Sequence, residues 1–282
     1  MLRIVLFVAT NLAILLMASI IMTLFGVSSS NLSGLLIFGL CFGFGGALLS
    51  LAISKPIAKW TMKLEVIDPQ RPSTSQHSWL LSTVHAQAKK AGIGMPEVAV
   101  WPSSDINAFA TGARRNNALV AVSQGLLDNM PAHEVEAVLA HEVSHISNGD
   151  MVTMTLLQGV LNTFVIVLSR VLADRLSGGA RLLAIIALDI CLGILASTIV
   201  MWFSRRREFR ADSGGAELAG NSNMIAALQT LRRVSQPPQM PDTIAAFGMR
   251  GNTQQGWRRL FMSHPPLEER ITALRNQGNI KP

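Results

Sequence analysis

The chain has 282 residues, 49% of them hydrophobic and only 15% charged, with no tyrosine and a formal net charge of +7. Its mean hydropathy of +0.36 excludes an ordinary soluble domain, while the length allows one or two compact units with real cores. The positive excess argues against a nucleic-acid partner because much of it flanks apolar runs, as Lys55, Lys59 and Lys63 after one and Arg205, Arg206, Arg207 and Arg210 after another, where the positive-inside rule puts cytoplasmic loops.

In chain order, the apolar segments are Ile4–Phe25, Leu32–Ser54 and Met151–Ser169, which carry no charge, and Leu182–Ser204, which carries only Asp189. A helix rises about 1.5 Å per residue, so roughly 20 apolar residues cross a hydrocarbon core of about 30 Å. All four are predicted transmembrane helices. A signal peptide starting at Arg3 is the other reading of the first, but its length, the lack of a small-x-small exit and the prompt second span favour a retained helix. The uncharged link Gly26–Asn31 is placed outside. Cys41 and Cys191 both fall inside spans, which excludes a disulfide framework or a cysteine zinc cluster and suits a polar part facing a reducing compartment. Gly39–Gly46 reads as close helix packing. Asp189 is costly in lipid, so a mechanistic role stands beside a plain one, pairing with a serine, threonine or asparagine of another span.

These spans divide the chain into 1–54, 55–150, 151–204 and 205–282. In the first polar part an amphipathic helix is predicted over Trp79–Ala91, with Gly92 as its C-terminal cap. Short strands follow at Glu97–Trp101, Asn107–Thr111 and Ala118–Val122, the last two joined by a turn in "GARRNN". Asn129 or Met130 caps the next helix, with Pro131 in its first turn and Val135, Val138, Leu139 and Val143 on its buried face. Only Asn148-Gly149 separates it from the third span. In the tail, helices are predicted from Arg205 to about Ala219, over Asn223–Val234 and over Leu267–Arg275, with a polar, proline-rich loop at Gln236–Thr243.

"LAHEVSHISNGD" (Leu139–Asp150) places His141 and His145 four residues apart, so a helix aims both imidazoles at one point. A catalytic zinc needs a third protein ligand and keeps one position open. Glu142, beside that point, can take a proton from a water whose pKa the ion lowers to about 7. The extended motif with a third histidine fails, since Asn148 and Met151 stand at its glycine and histidine positions. "RRREFRAD" offers the ligand instead: Glu208 could bind the metal while Asp212, one turn on, accepts the free N–H of a ligand histidine. Taken alone, this pair reads first as salt-bridge partners of the neighbouring arginines; the preceding motif reverses that reading. The arginines themselves read as a topological anchor. Two hydrophobic segments separate His145 from Glu208, and an even number of crossings returns the chain to one side. Both full crossing and a shallow hairpin meet this condition, although Arg170, Arg175 and Arg181 against Asp174 are too many cations for an outside loop. His77, His85 and His133 lack partners at ligand spacing and read as helix-face or surface histidines.

With "NAFATG", "LAHEVSHI" followed by "GD", "REFRAD" and "SHPPLEERI" between and beyond paired spans, the chain resembles the HtpX family of membrane-bound zinc metalloproteases, related to CAAX prenyl proteases. The resemblance covers nearly the whole length. It implies a mainly α integral membrane protein with about four transmembrane helices and a cytoplasmic α+β zincin-like (gluzincin) protease domain carrying a small β-sheet. It also implies one Zn²⁺ per chain on His141, His145 and Glu208, catalysis by Glu142, Asp212 supporting a ligand, and His264 as oxyanion donor; from the residues alone His264 reads first as a turn or capping residue. The implied activity is endopeptidase cleavage of misfolded membrane and cytosolic proteins in bacterial inner-membrane quality control under stress, with lipid around the spans. The strand Asn107–Thr111 resembles an edge that pairs with extended substrate. Two rivals from other classes are a chaperone-like binding protein with a structural zinc, which would want a fourth protein ligand, and a transporter using Asp189, for which the chain offers neither paired intramembrane charges nor inverted repeats.

Overall fold

The computed structural model describes residues 32–235, 262 and 264–278. The first expected span, Ile4–Phe25, and the loop Gln236–Thr243 lie outside them. In chain order, α1 (Leu32–Gly39) passes through one π-helical turn, Leu40–Phe44, into α2 (Gly45–Thr61). Then come β1 (Glu65–Val66), α3 (Ser75–Lys90), β2 (Glu97–Trp101), β3 (Ala108–Arg114) and β4 (Asn117–Ser123). After the strands follow α4 (Gln124–Asn129), α5 (Ala132–Asn148), α6 (Asp150–Ala173), α7 (Gly178–Ala219), α8 (Asn221–Ser235) and α9 (Leu267–Gly278). The described residues fall into two compact units, one holding those up to Ala52 with Val152–Arg205, the other Ile53–Met151 with those from Arg206 onward except Met262.

The first unit is helical. Three helices among the described residues, Ser33–Thr61, Asp150–Ala173 and Gly178–Ala219, are long and apolar enough to cross a membrane. Leu35, Phe38, Val165, Ile166 and Ala196 pack between them, while Ile37, Phe164, Leu183 and Leu195 are turned outward, the pattern of a bundle solvated by lipid. The glycine run does give close packing: a Cβ on Gly43 would lie 2.6 Å from the Thr163 backbone nitrogen, and Thr163 Oγ1 donates to the Gly39 carbonyl. Among the described residues Asp189 has an arginine partner, a buried charge pair that the sequence reading did not expect. Arg170 Nη1 lies 2.8 Å from Asp189 Oδ1 and also donates to Ser169 Oγ and the Ile166 carbonyl. Arg170 therefore belongs to the buried helix pair and not to the connecting loop, and Arg181 stands 3.3 Å from Asp174. The excess of loop cations read from the sequence is largely neutralised within the unit.

The second unit is built on a four-stranded sheet of order β1-β2-β4-β3, with β2 and β4 parallel and the outer pairs antiparallel. Val98, Val100, Val120 and Val122 face a core shared with Leu80, Leu139, Leu228 and Leu274; Ala99, Trp101, Leu119 and Ala121 line the opposite face. Successive side chains of a strand point to opposite faces, and because both faces are covered here β2 and β4 are apolar almost throughout. Several boundaries differ from the expected ones for local reasons. α3 starts at Ser75 because Thr74 Oγ1 accepts from the His77 N–H, a cap that hydrophobic periodicity does not see. β3 runs on to Arg114 through Gly112, whose φ of +133° and close approach to Asn117 exclude a side chain, with a register shift there. Asn129 closes α4 instead of capping α5, and Pro131 holds the N-cap position. The fourth span and the first tail helix are one 42-residue helix, since nothing between Ser204 and Arg205 breaks hydrogen bonding. Gly149, at φ +68°, ends α5 in the left-handed turn that Asn148-Gly149 suggested.

Candidate metal centre

The last two turns of α5 put His141 and His145 on one face, with their Nε2 atoms 3.1 Å apart. Glu208 reaches them from α7: its Oε2 is 3.5 Å from His141 Nε2 and its Oε1 is 3.5 Å from His145 Nε2. One ligand atom from each residue lies within 4.8 Å of the others. Two ligands about 2.0–2.1 Å from a tetrahedral zinc are themselves about 3.3 Å apart, so the two nitrogens are spaced as the ion requires.

The chemistry of the donors also fits a cation. His145 Nδ1 is hydrogen-bonded to Asp150 Oδ2 at 2.7 Å, and His141 Nδ1 lies 3.0 Å from Asp212 Oδ1, close but poorly aligned. Each carboxylate thus draws the ring proton to Nδ1 and turns the Nε2 lone pair toward Glu208. The Glu208 carboxylate is 1% exposed, and neither oxygen receives a well-aligned hydrogen bond, although His264 Nδ1 stands 2.9 Å and Arg270 Nη1 3.4 Å from Oε2. A buried carboxylate facing two lone pairs is stable only with a positive charge between them. In the metal-free chain a proton supplies it: burial opposes charging of His141, but Asp212 and Glu208 outweigh that and raise its pKa to about 9. His145 is raised in the same way, against burial, by Asp150 and Glu208.

An outer layer holds these carboxylates. Arg270, from α9, grips Asp212 through two hydrogen bonds, Nε to Oδ2 at 2.7 Å and Nη2 to Oδ1 at 2.6 Å. Burial works against the charged guanidinium, but Asp212 overcomes it and keeps the Arg270 pKa above its usual value. Arg210 Nη2 donates to Asp150 Oδ1 at 2.7 Å, so it serves as more than a topological anchor. Glu142 lines the cavity beside the cluster together with His264, whose side chain is 60% exposed.

The structure thus brings together His141, His145, Glu208, Asp212, Glu142 and His264. Sequence reasoning gave Asp150 and Arg270 no role and Arg210 only that of an anchor or salt-bridge neighbour. Asp150 was legible in principle: the left-handed Gly149 folds the chain so that the next carboxylate swings back under His145. Arg270 stands within "SHPPLEERI", but 58 positions separate it from Asp212, so no spacing along the chain pointed to the pair. Gly214 and Gly215 were also missed. They let α7 approach α5, since a Cβ on Gly215 would stand 3.1 Å from the His141 backbone nitrogen.

A membrane protein whose His-Glu-x-x-His helix meets a glutamate from a distant helix over a buried, cation-seeking cluster is, as a class, a membrane metallopeptidase. Residues 74–277 match peptidase family M48, and the chain belongs to that family. Over 291 residues it is 58% identical to the Protease HtpX of Thioalkalivibrio sulfidiphilus (strain HL-EbGR7), covering 97% of this chain and 98% of that one. It is 56% identical over 284 residues to the Protease HtpX of Xanthomonas axonopodis pv. citri (strain 306), with 97% of each covered. In fold it is similar to the crystal structure of S. mikatae Ste24p, at a TM-score of 0.63 and 20% identity, covering 93% of this chain and 62% of that one.

Proposed function

We propose that this membrane metalloprotease is a zinc-dependent endopeptidase acting on misfolded or damaged membrane and cytosolic proteins. His141, His145 and Glu208 hold the metal. The observation that carries this reading is the pair of Nε2 atoms 3.1 Å apart against a buried carboxylate lacking aligned donors. Zinc, when bound, supplies acidity to water and polarises the scissile carbonyl. The remaining work falls to the chain. Glu142 accepts the proton of the attacking water and passes it to the leaving amine. Asp212 and Asp150 hold the imidazoles in one tautomer, and Arg270 fixes Asp212. His264, at the cavity mouth, donates to the carbonyl oxygen as negative charge develops there. The outer strand β3 takes up an extended peptide by main-chain hydrogen bonds, which tolerates varied sequences and so suits damaged proteins as substrates.

The parts 1–54, 55–150, 151–204 and 205–282 serve as anchor, first half of the protease, membrane helix pair and second half. The cation flanks at Lys55–Lys63 and Arg205–Arg210 support a site on the cytoplasmic side of a bacterial inner membrane. Both segments of the helix pair cross fully: α6, at 24 residues, is about 36 Å long, and two crossings return Glu208 to the side of His141. The test is Glu142→Gln: it retains metal and loses cleavage of casein by at least about a hundredfold. Full proteolysis by that variant would sink the assignment.

A further inference from the structure

We infer that Arg115 and Arg210, flanking the junction of α5 and α6, bind the headgroup of one anionic phospholipid at the edge of the bilayer. The inference rests on the membrane helices and not on peptide hydrolysis, and every residue of the site belongs to the second unit. The turn between β3 and β4 carries Arg115 against Gly149: a Cβ on that glycine would stand 3.6 Å from Arg115 Nη2 and 3.7 Å from its Nε. At the next residue, Arg210 Nη2 donates to Asp150 Oδ1 at 2.7 Å while its side chain stays 57% exposed. Arg206, one turn earlier on α7, is exposed on the same side of that helix.

Charge at this junction is out of balance. Among the described residues, Asp150 is the carboxylate that meets Arg210, and it already holds His145 Nδ1 at 2.7 Å. Arg207 adds a third guanidinium: its Nη1 lies 4.0 Å from Asp150 Oδ2, its Nη2 lies 3.9 Å from Glu208 Oε1, and its buried Nε has no hydrogen-bond partner there. Glu208 is turned to the imidazoles, so it neutralises little of this excess. The exposed guanidinium of Arg115 has no ion pair or hydrogen bond among the described residues. Three cations thus share one carboxylate. An arginine fork matches the oxygens of a phosphate in shape as well as charge, which makes a phosphate the fitting counter-ion.

The position of the junction selects lipid over a soluble anion. α6 starts at Asp150, and the apolar run of α7 ends at Ser204. At about 1.5 Å per residue, Arg206 lies about 3 Å and Arg210 about 9 Å past that edge. The headgroup layer is about 5–8 Å thick on each side of the hydrocarbon, and a long arginine side chain reaches back into it. The second unit also shows apolar surface on the last turns of α2: Ile53, Ile57 and Trp60 share one face, and Trp60 is 82% exposed. Tryptophan at a membrane–water boundary sits at headgroup level. A leaflet that carries anionic lipid adds its own attraction, about fivefold in affinity for each arginine near the surface.

The experiment titrates full-length, zinc-loaded protein in neutral detergent with phosphatidylglycerol or phosphatidylcholine of the same acyl chains, and counts retained lipid by native mass spectrometry. One phosphatidylglycerol per chain is expected to bind about tenfold or more tightly than phosphatidylcholine, and to weaken as salt rises. Arg115→Gln should remove that preference with zinc content unchanged, because Arg115 holds none of the carboxylates around the metal cluster. Lys89→Gln should leave the preference intact. It removes an equal charge beside Lys90, whose ammonium reaches the Glu217 and Leu218 carbonyls at the far end of α7. Should Arg115→Gln lose its zinc through misfolding, Arg115→Lys decides, since it keeps the charge but not the fork and should still weaken the preference severalfold. Equal retention of the two lipids, or a preference that survives in zinc-replete Arg115 variants, overturns the site. So does a preference lost equally in Lys89→Gln, which would reduce it to net charge. Inorganic phosphate that displaces phosphatidylglycerol at equal concentration would assign the arginines to a soluble anion and overturn the lipid site as well.

Discussion

Asp150 shows how much of the proposed metal centre depends on groups outside its ligand set. Its Oδ2 holds His145 Nδ1 at 2.7 Å, its Oδ1 is held by Arg210, and it is fully buried. Removing its charge frees the imidazole to rotate and weakens the ligand. Asp150→Asn should lower zinc affinity by about 10–100-fold, measured by competition with a chelator, while the protein keeps its helical content. Protons compete for the same nitrogens. The His141 pKa in the metal-free chain is raised to about 9, so below that pH a proton must leave before the metal binds. Metal affinity should therefore climb by up to about tenfold per pH unit through neutral pH and level off above about 9, with proton release seen on titration of the metal-free protein. An affinity that did not change with pH would show that His141 is not a ligand.

At the scale of elements, convergence depends on how closely α5 and α7 approach. Gly215 lies where a Cβ would press on the His141 backbone, and Gly214 where it would meet Ser144. Gly215→Val should force the helices apart, draw Glu208 away from the imidazoles and reduce bound zinc to a small fraction of one per chain, as read by atomic absorption. Gly→Ala should be milder, because the Met224 methyl can move although the His141 backbone cannot. Helix continuity matters equally. The uninterrupted α7 carries both Asp189, which pairs with Arg170, and Glu208, which faces the two imidazoles. Periodicity had ended one helix at Ser204 and begun another at Arg205, since the change from apolar to charged residues looks like a boundary. Hydrogen bonding along the backbone ignores that change.

At the scale of the molecule, the centre joins residues far apart in sequence: His141 and His145 on α5, Glu208 and Asp212 on α7, and Arg270 on α9. Metal that binds only the folded arrangement stabilises it by mass action, about 4 kcal/mol when present at a thousandfold its Kd. Chelation should lower the Tm of the second unit by roughly 10 °C, followed by thermal scanning of tryptophan fluorescence, and zinc should restore it.

The sequence by itself determined whatever a local pattern encodes. Apolar runs of about 20 residues marked the long apolar helices among the described residues, and two histidines one helical turn apart marked the face of α5 proposed to hold the metal. The glutamate and aspartate of "REFRAD" marked the partner helix, because the same four-residue spacing applies there. β2 was legible to the residue, and β3 and β4 in outline, because alternation is a property of neighbours. Only the tertiary structure decided the strand order, the Arg170–Asp189 pair and the grip of Arg270 on Asp212. Such contacts join side chains tens of residues apart, and their energy depends on distance in space, about which spacing along the chain is silent.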